Sequence, residues 1–158
     1  MALNPGAVDP TIVPFRGFNI IIYDRTTAHI AVIYHNDANA FTLPGSLLPF
    51  PLIHDQIVAD DLPTLTASMG LEVIIDADPP MTMREVFMGL TEIWACYITV
   101  LERDNRMREI LDRRGQQCLW HPIPDALSLL AMNVMPPELR RGRSFRFLEA
   151  FDISGQYY

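Results

Sequence analysis

The sequence contains no lysine; all 12 of its basic residues are arginine. A Schiff-base lysine and a phosphate-loop lysine are therefore excluded from this chain. Anion binding is not, because the planar arginine fork suits carboxylates and phosphates. Formal net charge is −7, so the broad basic surface that general nucleic-acid binding needs is missing too. Cysteine is scarce. Cys96 and Cys118 are the only two, with no metal-type spacing and no disulfide framework. They read as reduced, largely buried thiols of a cytoplasmic protein, since disulfide frameworks belong mainly to secreted chains. No apolar run approaches the roughly 20 residues that cross a membrane. Residues 1–14 lack the basic start and apolar run of a signal peptide. Internal repeats and low-complexity tracts are also lacking.

What is present suits a packed domain. Over 158 residues, 49% are hydrophobic and 20% charged, enough apolar mass for one globular core and too much for disorder. Residues 17–23 form a β-branched apolar run, expected as a strand buried on both faces. A polar turn at 24–27 and a second apolar run at 29–35 complete a hairpin. Residues 41–43 follow as a short strand. Residues 45–51 read as a loop, with Pro49 and Pro51 removing backbone donors. Residues 52–69 read as helix interrupted by Pro63, with Asp60 or Asp61 able to cap a fresh start and Gly70 as the stop, or as one longer helix kinked at Pro63. Strands are expected at 71–75, 84–88, 90–101 and 117–121, with a linker at 76–80. Along 90–101, alternation puts Thr91, Ile93, Ala95, Tyr97 and Thr99 on one face, and Glu92, Trp94, Cys96, Ile98 and Val100 on the other. The mixed-charge stretch 102–114 reads as a solvated loop or short helix. Helices are expected at 123–132 and 138–151.

The centre of this pattern is Thr42-Leu43-Pro44-Gly45, then the helical stretch, then Gly70-Leu71-Glu72-Val73. Strand, glycine turn, helix, turn, strand in that order resembles the core of the Nudix hydrolase family. A tryptophan-bearing strand and a late helix starting Ile123-Pro124-Asp125-Ala126 extend the resemblance over about residues 17–150. It implies α+β class: a Nudix-like mixed β-sheet sandwiched between helices (α/β/α), in a single domain 1–158. Residues 1–14 would be an extended N-terminal segment and 45–70 a degenerate loop–helix. The family's helix carries glutamates that hold Mg²⁺ or Mn²⁺, hard cations that take oxygen ligands. Counted back from Gly70, those positions hold Thr64, Ala67 and Ser68, with Pro63 in place of the arginine. Counted forward from Gly45, the first glutamate position holds Pro51. The stretch between the two glycines is also longer than the family motif. The resemblance thus implies the scaffold without its metal ligands.

Replacement ligands would have to come from Asp55, Asp60 and Asp61, for which capping and solvation are the plainer alternative. Candidate acids and bases are His35, His54, Asp55 and Glu92. A histidine titrates near neutrality, and a glutamate in apolar surroundings has a raised pKa. The plainer alternatives are satisfied or solvated side chains. His121, beside Pro122, reads as structural. Arg84-Glu85 reads as an exposed pair, and Arg140, Arg141, Arg143 and Arg146 as a solvated helix face or an acidic-ligand site. Leu47, Leu48 and Phe50 would form an apolar lid or simply pack on the core. With Phe41, Trp94, Tyr97 and Arg84 they make up the expected substrate contacts.

The leading expectation is a metal-independent biosynthetic isomerase or cyclase working by general acid–base chemistry on an apolar small molecule. It has no metal, no cofactor, no nucleic-acid or membrane partner, and a homodimer left open. The alternatives are a non-catalytic ligand- or protein-binding module on the same scaffold, and a divergent pyrophosphohydrolase using the relocated aspartates.

Overall fold

The computed structural model describes residues 12–36, 39–69, 80–101, 110–111, 116–132 and 142–155. Its organising strand is β1, Phe15–Asp24, in which every residue but Arg16 is buried. The β-branched run explains this: such side chains pack well on a pleated surface covered on both sides. β1 runs parallel to β6, Leu90–Leu101, in unbroken register from Gly17 against Trp94 to Asp24 against Leu101. Its other edge is shared. β2, His29–His35, pairs antiparallel with β1 at Tyr23–Asp24. β4, Gly45–Leu52, pairs antiparallel with the first half of β1. β2 meanwhile takes β3, Ala40–Thr42, at its far end. The hairpin therefore forks, and Leu43-Pro44 fills the fork. There Pro44 O accepts the Ile20 N–H at 2.8 Å, so a buried β1 donor is satisfied despite the split.

β5, Met81–Phe87, extends the sheet beside β6. β7, Ile110–Leu111, and β8, Gln116–Pro122, extend it beside β2. The order is β5-β6-β1-β2-β8-β7, with β3 and β4 off that path. Two turns are diagnostic. Asp24 Oδ1 accepts the Thr26 N–H at 2.8 Å, an Asx turn that closes β1–β2. Met88 and Gly89 have φ of 51° and 79°, the positive pair that a two-residue hairpin requires.

Helices cover both faces. After β4 come α1, His54–Gln56, a π-helical stretch Ile57–Asp61, and α2, Leu62–Ser68. Ile57, Leu62 and Met69 pack there with Phe15, Phe18, Ile20, Ile22, Ala95 and Tyr97. On the opposite face α3, Ile123–Ala131, and α4, Arg143–Ser154, bring Ile123, Ala126, Leu130, Phe147, Leu148 and Phe151 against Ile21, Tyr23, Trp94 and Cys96. Both helices present apolar residues at three- and four-residue spacing, the stripe that core packing demands. Gly155, φ 64°, ends α4 with the left-handed residue that a helix stop favours. The result is a mixed sheet between helices, as expected, and β6 alternates as its sequence indicates.

Several local expectations are corrected. Residues 45–51 are strand, not loop. Prolines are tolerated because β4 bulges here: Gly17 faces Leu47 and Phe15 faces Leu52, so Leu48 to Pro51 stand opposite Arg16 alone. Arg16 Nη1 donates to Leu48 O across that gap. Of the two expectations at Pro63, a fresh helix start and a continuous helix, the structure has the continuous one, from His54 to Ser68. The π-type bond from Leu62 N–H to Ile57 O widens the turn just ahead of the ring. Asp61 makes no side-chain cap; Gln56 Oε1 instead accepts the Ile53 N–H at 3.1 Å where the helix starts. α4 starts at Arg143 after Gly142, and residues 138–141 of the expected helix lie outside the described residues. The strand expected at 71–75, nearly all of the 76–80 linker, most of the 102–114 stretch, and Arg140 and Arg141 lie outside the described residues.

Candidate functional site

The helix after β4 is where the resemblance would put metal ligands. Thr64, Ala67 and Ser68 are exposed on it, and both hydroxyls turn back onto the helix. Thr64 Oγ1 donates to Asp60 O at 2.8 Å and Ser68 Oγ to Leu65 O at 2.6 Å. A hydroxyl engaged this way is a poor ligand for a hard cation, and Ala67 has no donor atom at all. Asp55 and Asp60 are exposed. Among the described residues no three His, Cys, Asp or Glu side chains come together as a metal site. Among the described residues, the donors on this helix do not fit a divalent cation.

The four candidate acids and bases are not brought together. His54 is buried beneath its own helix. Its Nδ1 is 2.9 Å from the Tyr97 hydroxyl, and the two rings stack at 5.6 Å and 14°. Burial first, and the Asp55 charge second, push the Tyr97 hydroxyl well above the usual phenol range. Tyr97 is thus a core residue, 2% exposed, and not an open substrate contact. Leu48 is likewise in the core and not in a lid, while Leu47 and Phe50 are exposed. His35 Nε2 lies 2.7 Å from Thr42 Oγ1, and burial lowers its pKa from the ordinary histidine value. Glu92 is on the other side of the sheet from His54, on the face of Trp94. Arg84 is exposed. Phe41 packs against the α3/α4 core and lies 4.8 Å from the Tyr34 ring. Both cysteines are buried; burial holds Cys118 up at about 11 and Cys96 higher still, so neither is a ready thiolate.

A different group does assemble, on the α3/α4 face. Glu85 and Glu92 are direct cross-strand partners on β5 and β6, an arrangement of like charges that costs stability unless compensated. Two arginines compensate it. Arg143 Nη2 donates to Glu85 Oε2 at 2.6 Å, and Arg16 Nε is 3.7 Å from Glu92 Oε1. The Arg143 guanidinium also lies over Trp94, 3.2 Å from the ring centroid, a stacked cation–π contact. Burial lowers the Arg143 pKa, while the Glu85 bond and the charges of Glu85 and Glu92 act the other way. Next to this cluster, Leu43 N–H donates to Ser144 Oγ at 2.9 Å, tying the start of α4 to the fork. Asn19 Nδ2 donates to Leu43 O at 3.2 Å. Trp94 fits because Gly17 has no side chain: a Cβ there would lie 2.3 Å from the indole ring.

Arg16 and Asn19 are the residues missed by reading the sequence. Glu85, expected as half of an exposed pair with Arg84, is instead partly buried against Arg143, an arginine expected on a solvated face or in an acidic-ligand site. The inward placement of Glu85 and Arg143 carried a usable signal. Met81, Met83 and Glu85 alternate onto one face of β5, so an acid shares the inward row. Arg143 precedes Phe147 by four, which places it on the apolar stripe of α4 rather than its wet side.

No family model and no curated protein matches the sequence. Solved structures do. A NUDIX hydrolase from Listeria monocytogenes superposes with a TM-score of 0.60 at 12% identity, over 91% of this chain and 95% of that one. The chain has a Nudix-like fold. A binary complex of the C. elegans Ap4A hydrolase aligns at TM-score 0.57 and 14% identity, over 87% of this chain and 97% of that one. The E. coli dihydroneopterin triphosphate pyrophosphohydrolase aligns at 0.56 and 12%, over 88% and 95%. At such identity the Nudix likeness carries the architecture and not the reaction. Among the described residues, no helix is long and apolar enough to cross a membrane.

Proposed function

We propose that this Nudix-like protein is a small-molecule-binding module that takes its ligand on the α3/α4 face, at the Arg143–Glu85 pair over Trp94, without a divalent cation. The observation that carries this reading is the charge network itself. Two glutamates and two arginines occupy strand and helix positions that flank an apolar core, where unpaired burial of any one would be costly. A partly buried cation with a specific charge partner, here Arg143 beside Glu85, supports a functional-site reading. The apolar-ligand expectation fits the surroundings, since Phe41, Met81, Met83 and Phe145 pack against the same cluster. The test is thermal melting against a metabolite panel, with and without excess EDTA. The expected result is a ligand-dependent rise in Tm that survives EDTA and is lost in Arg143→Gln. A rise that appears only with Mg²⁺ or Mn²⁺, or one accompanied by pyrophosphate cleavage, would favour the divergent hydrolase and sink this reading.

The opposed carboxylates Glu85 and Glu92 favour a second reading, metal-independent isomerisation or cyclisation by acid–base chemistry. Under it, Glu92→Gln abolishes turnover of the panel ligand while binding persists. Binding with no conversion by the wild type counts against it.

A further inference from the structure

The α3/α4 face holds three polar side-chain atoms that are buried and have no hydrogen-bond partner: Trp94 Nε1, Arg143 Nε and Asn19 Oδ1. Trp94 and Asn19 are 5% and 6% exposed. Buried polar atoms are nearly always satisfied, and leaving one orphaned costs on the order of 1–3 kcal/mol. Buried indole N–H groups in particular usually find an acceptor. The three are linked through short contacts. Arg143 lies on Trp94, Ser144 follows Arg143 and accepts the Leu43 N–H, and Leu43 O is held by Asn19. Two of the three orphans are donors, and one of those is on a cation. Arg143 opens α4, with the Trp94 ring beneath its guanidinium, and the helix has no side-chain cap and no acidic residue in its first turn. A helix start of this kind favours negative charge.

We infer that the ligand of this face is an apolar molecule with a single oxyanion head. The head is held by the Trp94 and Arg143 N–H groups at the start of α4, and its body lies along Phe41, Met83 and Phe145. Asn19 Oδ1 accepts from any hydroxyl or amine next to the head. This rests on the ligand-binding reading above and narrows it to a chemical class. A carboxylate and a phosphate monoester share the chemistry, and the probes separate them.

The experiment titrates benzoate, its neutral counterpart benzamide, and inorganic phosphate into the ¹⁵N-labelled full chain. It follows the indole N–H resonances, of which the two tryptophans give two, assigned with Trp120→Phe. Benzoate is expected to move the Trp94 resonance saturably. Its affinity should fall about tenfold or more in Arg143→Gln, followed on the same resonance, and in Trp94→Phe, followed on backbone amide resonances, the scale of losing one hydrogen bond to a charged group. A saturable phosphate response with benzoate silent supports the oxyanion and assigns it to a phosphate ester. Benzamide matching benzoate overturns the oxyanion head but leaves the binding face standing. No movement with any probe also overturns it, and the metabolite panel then judges the binding face separately. Because the resonance is read in the wild type, failure of either variant to fold does not rescue the inference.

Discussion

Gly17 and Gly45 fix how closely β4 and Trp94 approach β1. A Cβ at Gly45 would lie 2.3 Å from Phe18 O, a backbone atom with no freedom to leave. At Gly17 it would meet the Trp94 ring and Ser46 O together. Gly17→Ala is expected to cost about 1–3 kcal/mol, the usual range for overpacking, and to unseat the Arg143 stack. Urea unfolding reads the first effect and Trp94 fluorescence the second. Tyr97→Phe deletes the 2.9 Å partner of buried His54 and should cost about 1–2 kcal/mol. Ligand binding on the opposite face should be unaffected, which separates this pair from the proposed site. His35 carries a pH signature. Burial favours its neutral ring, so its folded pKa lies below the ordinary 6.5. The unfolded chain therefore holds more protons between the two values. The His35 contribution is complete above 6.5 and is lost as pH falls toward the folded value. Urea midpoints taken from pH ~5 to ~7.5 should show a slope that His35→Gln reduces.

At the level of elements, the helix after β4 keeps a face at positions 64, 67 and 68 that is exposed and correctly spaced to converge on one point. The triple change Thr64→Glu, Ala67→Glu and Ser68→Glu should leave the fold intact, within about 1 kcal/mol as for most surface substitutions. It should also create calorimetric Mg²⁺ binding that the natural sequence does not show. Most elements were legible because their periods are clean: β1 and β6 from apolar runs and alternation, α3 and α4 from stripes. Residues 45–51 were misread because two prolines argue for loop on local grounds. The compensation, an arginine reaching across a bulge from residue 16, is tertiary. At Pro63 the sequence left a break and a continuous helix both open, since a π turn leaves no mark in composition. The site was less legible than the fold. Glu92 was singled out, but its partners Glu85, Arg143 and Arg16 come from three other elements. Only the register of β5 on β6 and the packing of α4 bring them together.

At the scale of the molecule, the sheet is a partition. His54, Tyr97 and Leu48 lie on one side, and Trp94 and Cys96 on the other with Glu92. A reading that needed His54 and Glu92 to share a substrate does not survive that separation. With neither face offering a set of oxygen ligands among the described residues, excess EDTA is expected to leave Tm unchanged. A drop of several degrees on chelation would show a structural cation held elsewhere. The parallel pairing of β1 with β6 has one more consequence. One edge of residues 17 to 24 finds its partner only at residues 94 to 101, while β2, β4 and Pro44 line the other. During synthesis the β6-side edge of β1 must therefore stay unpaired until those later residues have cleared the ribosome. Non-local pairings of this kind fold slowly and leave sticky strands uncovered. Chaperone dependence should accordingly be greatest for chains stalled before residue 94, should fall once β6 has emerged, and should fall again once α3 and α4 can cover Ile21 and Tyr23.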